Sequence, residues 1–135
     1  MSPDEKLKRI LEENNIIAVV GCSRDPKKAA HTVPKYMKEQ GYKIIPVNPF
    51  ADQILEEKVY KSLSEINEPV DIVNIFRPSE QCLEVVKEAV NLKPKVIWMQ
   101  LGIKNEEAAQ IAEKNGIEVI MDKCFFIEHK NLIKK

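Results

Sequence analysis

A short apolar run that stops at a glycine is the feature of this sequence that most limits its fold. Residues 16–20 read Ile-Ile-Ala-Val-Val, and Gly21, Cys22, Ser23 and Arg24 follow them. A short β-rich run bounded by a glycine predicts a fully buried strand. The glycine lets backbone amides approach a ligand, and a following helix would direct its positive N-terminal end toward a phosphate. The segment therefore indicates a phosphate-binding loop, although one glycine equally suits a plain turn between a strand and a helix.

Short apolar segments alternate with amphipathic segments along the rest of the chain. Strands that alternate with helices predict right-handed crossovers and a parallel sheet covered on both faces. The sequence thus predicts an α/β protein with a Rossmann-like, doubly wound sheet of about five strands in the order 3-2-1-4-5, with helices on both faces. The predicted strands are residues 16–20, 43–47, 71–76, 95–99 and 117–121, with a short extended piece at 58–60; the predicted helices are residues 3–13, a segment ending at 40, one or two turns at 62–66, then 78–91, 105–115 and 124–132.

Pro34 complicates the first crossover helix. A proline inside a helix lacks the N–H that the carbonyl four residues earlier would accept, and its ring clashes with that carbonyl, which here belongs to Ala30. The helix is therefore expected either to kink at Pro34 or to begin late, with Thr32 as its N-cap.

Size and charge limit the organisation of the chain and its partners. With 135 residues, residues 1–135 are expected to form one domain that buries about two thirds of its unfolded surface. Lys plus Arg and Asp plus Glu both count 21, so the overall charge does not favour nucleic acid, and an anion site must be a local cluster.

The three cysteines and the N-terminal segment bear on location. Cys22, Cys82 and Cys124 are odd in number and far apart, so they predict neither a disulfide framework nor a metal site. The first 14 residues are charged, and no apolar run approaches the roughly 20 residues of a membrane span. We therefore expect a cytoplasmic protein that does not bind membranes.

The loops that follow the predicted strands should meet at one edge of the sheet. In open parallel sheets, ligands bind outside the carboxyl ends of the strands, where the strand order reverses. That point is predicted between the strands at 16–20 and 71–76. The converging segments are Gly21 to Lys28, Val47 to Phe50, Phe76-Arg77-Pro78 and Gln100 to Ile103.

Two common nucleotide motifs do not match the first loop. The dinucleotide fingerprint needs three glycines, but Ser23 and Pro26 occupy its second and third places. The acid expected after the second strand is replaced by Asn48, which disfavours NAD. A phosphate-binding P-loop would need Gly-Lys followed by Ser or Thr, and that sequence does not follow Gly21.

Four motifs in order carry a resemblance to a known family. They are residues 20–26 (Val-Gly-Cys-Ser-Arg-Asp-Pro), 46–49 (Pro-Val-Asn-Pro), 70–78 (Val-Asp-Ile-Val-Asn-Ile-Phe-Arg-Pro) and 96–103 (Val-Ile-Trp-Met-Gln-Leu-Gly-Ile). Together they resemble the small stand-alone CoA-binding proteins, which are similar to the N-terminal CoA-binding domain of the succinyl-CoA synthetase α subunit. The resemblance covers residues 16–132 and includes Cys124. The departures are Cys22 for the commoner Ala, Ala30 where Gly is frequent, and Glu56 for the usual Gly, which puts the turn at that position in doubt.

The resemblance implies coenzyme A or an acyl-CoA as the ligand. Its pyrophosphate, 3′-phosphate, adenine and pantetheine arm need amide donors, positive charge and an apolar wall, which the converging loops offer. The amides of Cys22 and Ser23 are expected at the pyrophosphate, and Arg24, Lys27 or Lys28 at the 3′-phosphate. The full set of expected CoA-binding residues is Gly21, Cys22, Ser23, Arg24, Lys28, Val47, Asn48, Pro49, Phe76, Arg77, Pro78 and Gln100.

No catalytic set is recognisable in the sequence. His31 and His129 lie far apart, and no nucleophile elbow, triad spacing or metal cluster accompanies them. A non-catalytic CoA-binding module is therefore the leading hypothesis, with an unidentified protein partner or a homo-oligomer left open. The alternatives are an enzyme that uses NAD or another nucleotide, and a thiol-based redox protein in which a helix N-terminus lowers the pKa of Cys22.

Overall fold

The computed structural model describes residues 2–134, and a five-stranded parallel sheet forms its centre. In chain order the strands are β1 (Ile16–Val20), β2 (Lys43–Val47), a two-stranded antiparallel hairpin of β3 (Gln53–Ile54) and β4 (Glu57–Lys58), then β5 (Ile72–Ile75), β6 (Val96–Met99) and β7 (Glu118–Ile120). The main sheet has the spatial order β2-β1-β5-β6-β7, with every neighbouring pair parallel. The predicted α/β class and parallel Rossmann-like sheet are confirmed.

The predicted order 3-2-1-4-5 differs from the structure beyond β2. The outer strand, strand 3 of that order, was predicted at residues 58–60. In the structure Lys58 pairs in the β3–β4 hairpin instead, and only Tyr60 reaches the position beside β2, through one parallel bridge to Val47. The order reverses between β1 and β5, as predicted.

Helices cover both faces of the sheet because alternate strand residues point in opposite directions. Ile17 and Val19 of β1 belong to a core shared with α1, α2 and α5, whereas Ala18 and Val20 belong to a core shared with α3 and α4. The helices are α1 (Pro3–Glu13), α2 (Ala29–Glu39), α3 (Cys82–Ala89), α4 (Glu106–Lys114) and α5 (Phe125–His129); short 3₁₀ turns lie at Leu63–Glu65, Ser79–Gln81 and Val90–Leu92, and a π-helical turn lies at Lys130–Lys134.

Side-chain caps mark the starts of two helices. The Ser2 hydroxyl accepts the N–H of Glu5 at the start of α1, and the Glu5 carboxylate accepts the N–H of Ser2 in return. The side chain of Asn105 accepts the N–H of Ala108 at 2.9 Å at the start of α4. Both caps satisfy backbone N–H groups in the first turn of the helix.

α2 begins at Ala29, so one of the two predicted alternatives, a late start with Thr32 as N-cap, is wrong. Pro34 lies inside the helix, and its missing N–H leaves the carbonyl of Ala30 without its usual helical donor. That carbonyl instead accepts the backbone N–H of Ser23 at 3.0 Å. The proline is tolerated because the loop after β1 supplies the hydrogen bond that the helix cannot.

Candidate functional site

Gly21 is the point at which three strand ends meet. Its N–H donates to the carbonyl of Val47 at 3.0 Å, while the neighbouring Val20 carbonyl accepts the N–H of Phe76 at 2.8 Å. Gly21 has a φ of +83°, and a β-carbon built on it would lie 2.5 Å from the Phe76 carbonyl oxygen. Only glycine fits this conformation and this contact without a shift of the backbone. The loops after β1, β2 and β5 therefore converge, as the sequence predicts.

The loop after Gly21 is held against α2 by Ser23. The Ser23 hydroxyl accepts the N–H of Asp25 at 3.0 Å, and the backbone carbonyl oxygen of Ser23 lies 2.7 Å from Nδ1 of His31. The Ser23 N–H is already donated to Ala30. The expected role of this amide as a pyrophosphate donor therefore does not agree with the structure, and the part of Ser23 that remains for a ligand is its hydroxyl.

Cys22 is completely buried in the core beneath this loop. Desolvation raises the pKa of its thiol to about 12, and the Ser23 N–H lowers it only in part. The lowered pKa expected for a reactive Cys22 is therefore wrong, because burial outweighs any favourable dipole.

Asn48 ties the loop after β2 to the loop after β1. Its Nδ2 donates to the Cys22 carbonyl at 2.9 Å, and its Oδ1 accepts the N–H of Phe50 at 2.7 Å. Its backbone N–H donates to the Tyr60 carbonyl. The side chain thus fixes the relative position of the two loops, which accounts for an asparagine at this strand end.

A cleft of about 210 Å³ opens beside these loops, between the end of β2 and α3. Four of the residues expected from the sequence line it: Gly21, Val47, Pro49 and Arg77. Within residues 2–134, the Arg77 guanidinium has no ion-pair partner. The cleft therefore combines an apolar wall with a positive charge that is available to an anion.

Six of the ten residues that line the cleft were not among the site residues expected from the sequence. Val85 and Glu88 lie three residues apart, so they share one side of α3. The helical pattern that follows Arg77 in the sequence is the signal that could have identified them. The segment after Tyr60 carries no such signal, because its position depends on the single bridge to β2. The other four lining residues that were not expected from the sequence are Val20, Lys61, Ser62 and Leu63.

The other expected site residues are spread around the cleft or lie inside the core. Arg24, Lys28 and Pro78 are exposed. Phe76 is half-buried and packs toward α2 on the opposite face of the sheet from the cleft.

Gln100 is only 2 % exposed. Its Oε1 accepts the N–H of Phe125 at 3.1 Å, and its Nε2 donates to the side chain of Asn74. The structure thus assigns Gln100 to the support of α5 and does not place it in the cleft.

A larger concavity of about 590 Å³ lies at the opposite edge of the sheet. It is bordered by Lys93, Lys95 and the ion pair in which Nη2 of Arg9 lies 2.7 Å from Oε2 of Glu118. Size alone does not make it the better candidate, because the loops that Gly21 joins and the start of α2 lie at the other edge.

Two further properties concern metals and membranes. Among residues 2–134, no group of three or more His, Cys, Asp and Glu side chains is arranged to hold a metal ion. No helix within the same residues is long and apolar enough to cross a bilayer.

The structure is that of a Rossmann-like α/β protein with a cleft at the carboxyl edge of its sheet. A sequence model of the family described as "CoA binding domain" matches residues 15–130. The chain therefore belongs to the CoA-binding domain family.

Individual relatives agree with this assignment. The chain is 46 % identical over 124 residues to the uncharacterized protein YneT of Bacillus subtilis, with 92 % of both chains covered. It is 34 % identical over 129 residues to the α subunit of the ADP-forming acetate–CoA ligase II of Pyrococcus furiosus. That match covers 86 % of this chain but 28 % of the subunit, so the chain spans little more than a quarter of the ligase subunit.

Solved structures share the whole fold. The cell-free protein ID.343 from Thermus thermophilus has a TM-score of 0.93 and 38 % identity, with 98 % of this chain and 100 % of that chain covered. A hypothetical protein from Pyrococcus horikoshii OT3 has a TM-score of 0.94 and 33 % identity over 98 % of this chain and 93 % of its own.

Proposed function

We propose that this protein binds coenzyme A or an acyl-CoA at the carboxyl edge of its sheet, as a binding or regulatory module without turnover of its own. The observation that carries the proposal is the cleft beside Gly21, which is lined both by apolar residues and by Arg77, a side chain with no ion-pair partner among the described residues. Membership of the CoA-binding domain family supports the choice of ligand.

The size of the cleft indicates which part of CoA it receives. A volume of about 210 Å³ suits a purine base but not the whole cofactor. We assign the adenine to this cleft, against Val47 and Pro49. Arg77 would bind a phosphate, since charge-assisted hydrogen bonds to guanidinium groups favour phosphate oxygens. Arg24 and Lys28 lie exposed on the first loop and are proposed to meet the 3′-phosphate.

The pantetheine arm then has to cross the outer surface of the same edge. Two large apolar side chains are exposed on loops that follow strand ends: Phe50 is 82 % exposed after β2, and Leu101 is 62 % exposed after β6. Exposed apolar side chains favour an apolar partner. We propose that they contact the pantetheine arm.

The alternative in which Cys22 acts as a redox thiol receives little support. The thiol is buried and its pKa is raised, so the reactive thiolate is disfavoured. Alkylation by iodoacetamide at pH 8 tests this directly. We expect half-buried Cys124 to react before Cys22 in the folded protein, and selective labelling of Cys22 would favour the redox hypothesis.

Location belongs to the same proposal. Cys22, Cys82 and Cys124 are all free thiols. Free thiols suit a reducing compartment, and we propose a cytoplasmic protein on that basis.

The deciding experiment offers CoA, acetyl-CoA, NAD and ATP in parallel to the purified protein, with native mass spectrometry and titration calorimetry as readouts. We expect CoA or acetyl-CoA to bind most tightly and Arg77→Ala to weaken that binding at least about tenfold. Lys114→Ala, which removes an exposed charge at the far end of α4, is the matched control. Tighter binding of NAD than of either CoA form would contradict the proposal.

A further inference from the structure

The cleft carries a negative charge as well as a positive one. Glu88, in the last turn of α3, lines the same cleft as Arg77. Within residues 2–134 the two side chains pair neither with each other nor with another charged group. A carboxylate in a site proposed for a phosphate-bearing ligand repels the phosphates, so it must face a part of the ligand that donates hydrogen bonds.

The position of Glu88 leaves one carboxylate oxygen for that purpose. Its Oε1 accepts the backbone N–H of Leu63 at 3.1 Å. Leu63 is buried and begins the 3₁₀ turn that follows the bridge to β2, so this bond holds the carboxylate against the cleft wall. Oε2 has no hydrogen-bond partner among the described residues.

We infer that Glu88 selects the base of the bound nucleotide and that its Oε2 accepts the 6-amino group of adenine. This inference rests on the proposed function and assigns its base specificity. Guanine presents two adjacent donors, which a carboxylate matches with both oxygens, whereas Glu88 has one oxygen already bound to Leu63. A single amino group fits the remaining oxygen. Arg77, which lines the same cleft, is then left to bind a phosphate.

The test compares adenosine 3′,5′-bisphosphate with its inosine and guanosine counterparts by calorimetry. These ligands keep the ribose, the 3′-phosphate and the first 5′-phosphate of CoA, and they differ from one another only in the base. We expect the wild-type protein to prefer the adenine ligand at least about tenfold, as a charge-assisted hydrogen bond predicts.

The variant Glu88→Gln tests the role of the carboxylate directly, because the base preference would not change if Glu88 had only a structural role. The carbonyl of the glutamine keeps the bond to Leu63, so its NH₂ replaces Oε2 as the group that faces the base. An NH₂ opposes the 6-amino group and pairs with a 6-oxo group, and the preference should therefore reverse toward inosine. Glu84→Gln is the control, because the Glu84 side chain is 80 % exposed on the same helix, pairs with Lys87 and does not line the cleft. Thermal unfolding of each variant confirms that it is folded.

The outcomes separate this inference from the proposed function. Tight binding of CoA with equal affinity for the three bisphosphates, or an unchanged preference in Glu88→Gln, would overturn the role of Glu88 and leave CoA binding intact. Tighter binding of the guanine ligand would also overturn it. Failure of wild-type protein to bind either CoA or adenosine 3′,5′-bisphosphate would contradict the proposed function itself and remove the basis for the inference.

Discussion

The backbone of Gly21 lies directly against the carbonyl oxygen of Phe76, so closely that a β-carbon on residue 21 would approach that oxygen to 2.5 Å. The contact joins the end of β1 to the end of β5, the two strands between which the strand order reverses. One small residue thus determines how closely the loops after β1 and β5 approach each other.

Replacement of Gly21 by alanine is expected to destabilise the protein more than the same change at Gly102. Both glycines have a φ of +83°, which costs a non-glycine residue about 1–2 kcal/mol. A β-carbon at Gly102 meets no atom within 4 Å, whereas at Gly21 it meets rigid backbone. We expect a loss of about 1–2 kcal/mol for Gly102→Ala and a larger loss for Gly21→Ala in urea unfolding. Equal losses would show that the contact with Phe76 relaxes at no cost.

The exposed basic residues of the first loop predict a preference for CoA over dephospho-CoA. The two ligands differ at the 3′-phosphate, and charge-assisted hydrogen bonds to Arg24 or Lys28 should favour CoA by roughly tenfold or more. Salt screens exposed charges, so the preference should shrink as ionic strength rises. Calorimetry with both ligands at low and high salt measures the effect. The double variant Arg24→Ala, Lys28→Ala should lose the preference, and equal wild-type affinities at low salt would refute the basic contact.

The turn of the β3–β4 hairpin predicts a stabilising substitution. Leu55 and Glu56 have φ values of 53° and 66°, in the left-handed region that non-glycine residues adopt at a cost. Leu55 packs against the core, but Glu56 is exposed. Glu56→Gly should therefore raise the free energy of unfolding by up to about 1 kcal/mol. Gln53→Gly in the neighbouring strand is the control and should lower it by about 0.5–1 kcal/mol. A loss in both variants would mean that the turn is not strained.

Burial of Cys22 predicts how stability depends on alkaline pH. The pKa of this thiol is about 12 in the folded protein, above its ordinary value of 9.0. Between these values the unfolded chain loses the proton while the folded protein keeps it, so stability falls as pH rises from 9 toward 12. The slope contributed by one such group is at most about 1.4 kcal/mol per pH unit. Unfolding of wild-type and Cys22→Ala proteins between pH 8 and 10.5 should show a shallower decline in the variant; parallel declines would show that Cys22 ionises normally.

The sequence alone predicted the elements whose signals lie within consecutive residues. The apolar runs of β1 and β6, the amphipathic pattern of α3 and the cap at Asn105 each depend on neighbours within a few positions. The same local signals located Gly21, Val47, Pro49 and Arg77 at strand ends, because parallel strands place their carboxyl ends at one edge. The parallel sheet, the point at which its strand order reverses and four of the ten residues that line the cleft were therefore predictable.

Only the tertiary structure decided the contacts between residues far apart in the chain. Helix α2 continues through Pro34, because the N–H of Ser23 donates to the Ala30 carbonyl that the proline leaves without a helical donor. Burial by the packed helices, and not the sequence around Cys22, raises the pKa of its thiol. Glu88 enters the cleft because Leu63, 25 residues earlier, donates a hydrogen bond to it. Local periodicity determines which face a residue takes, but the partners on that face depend on how all the elements pack together.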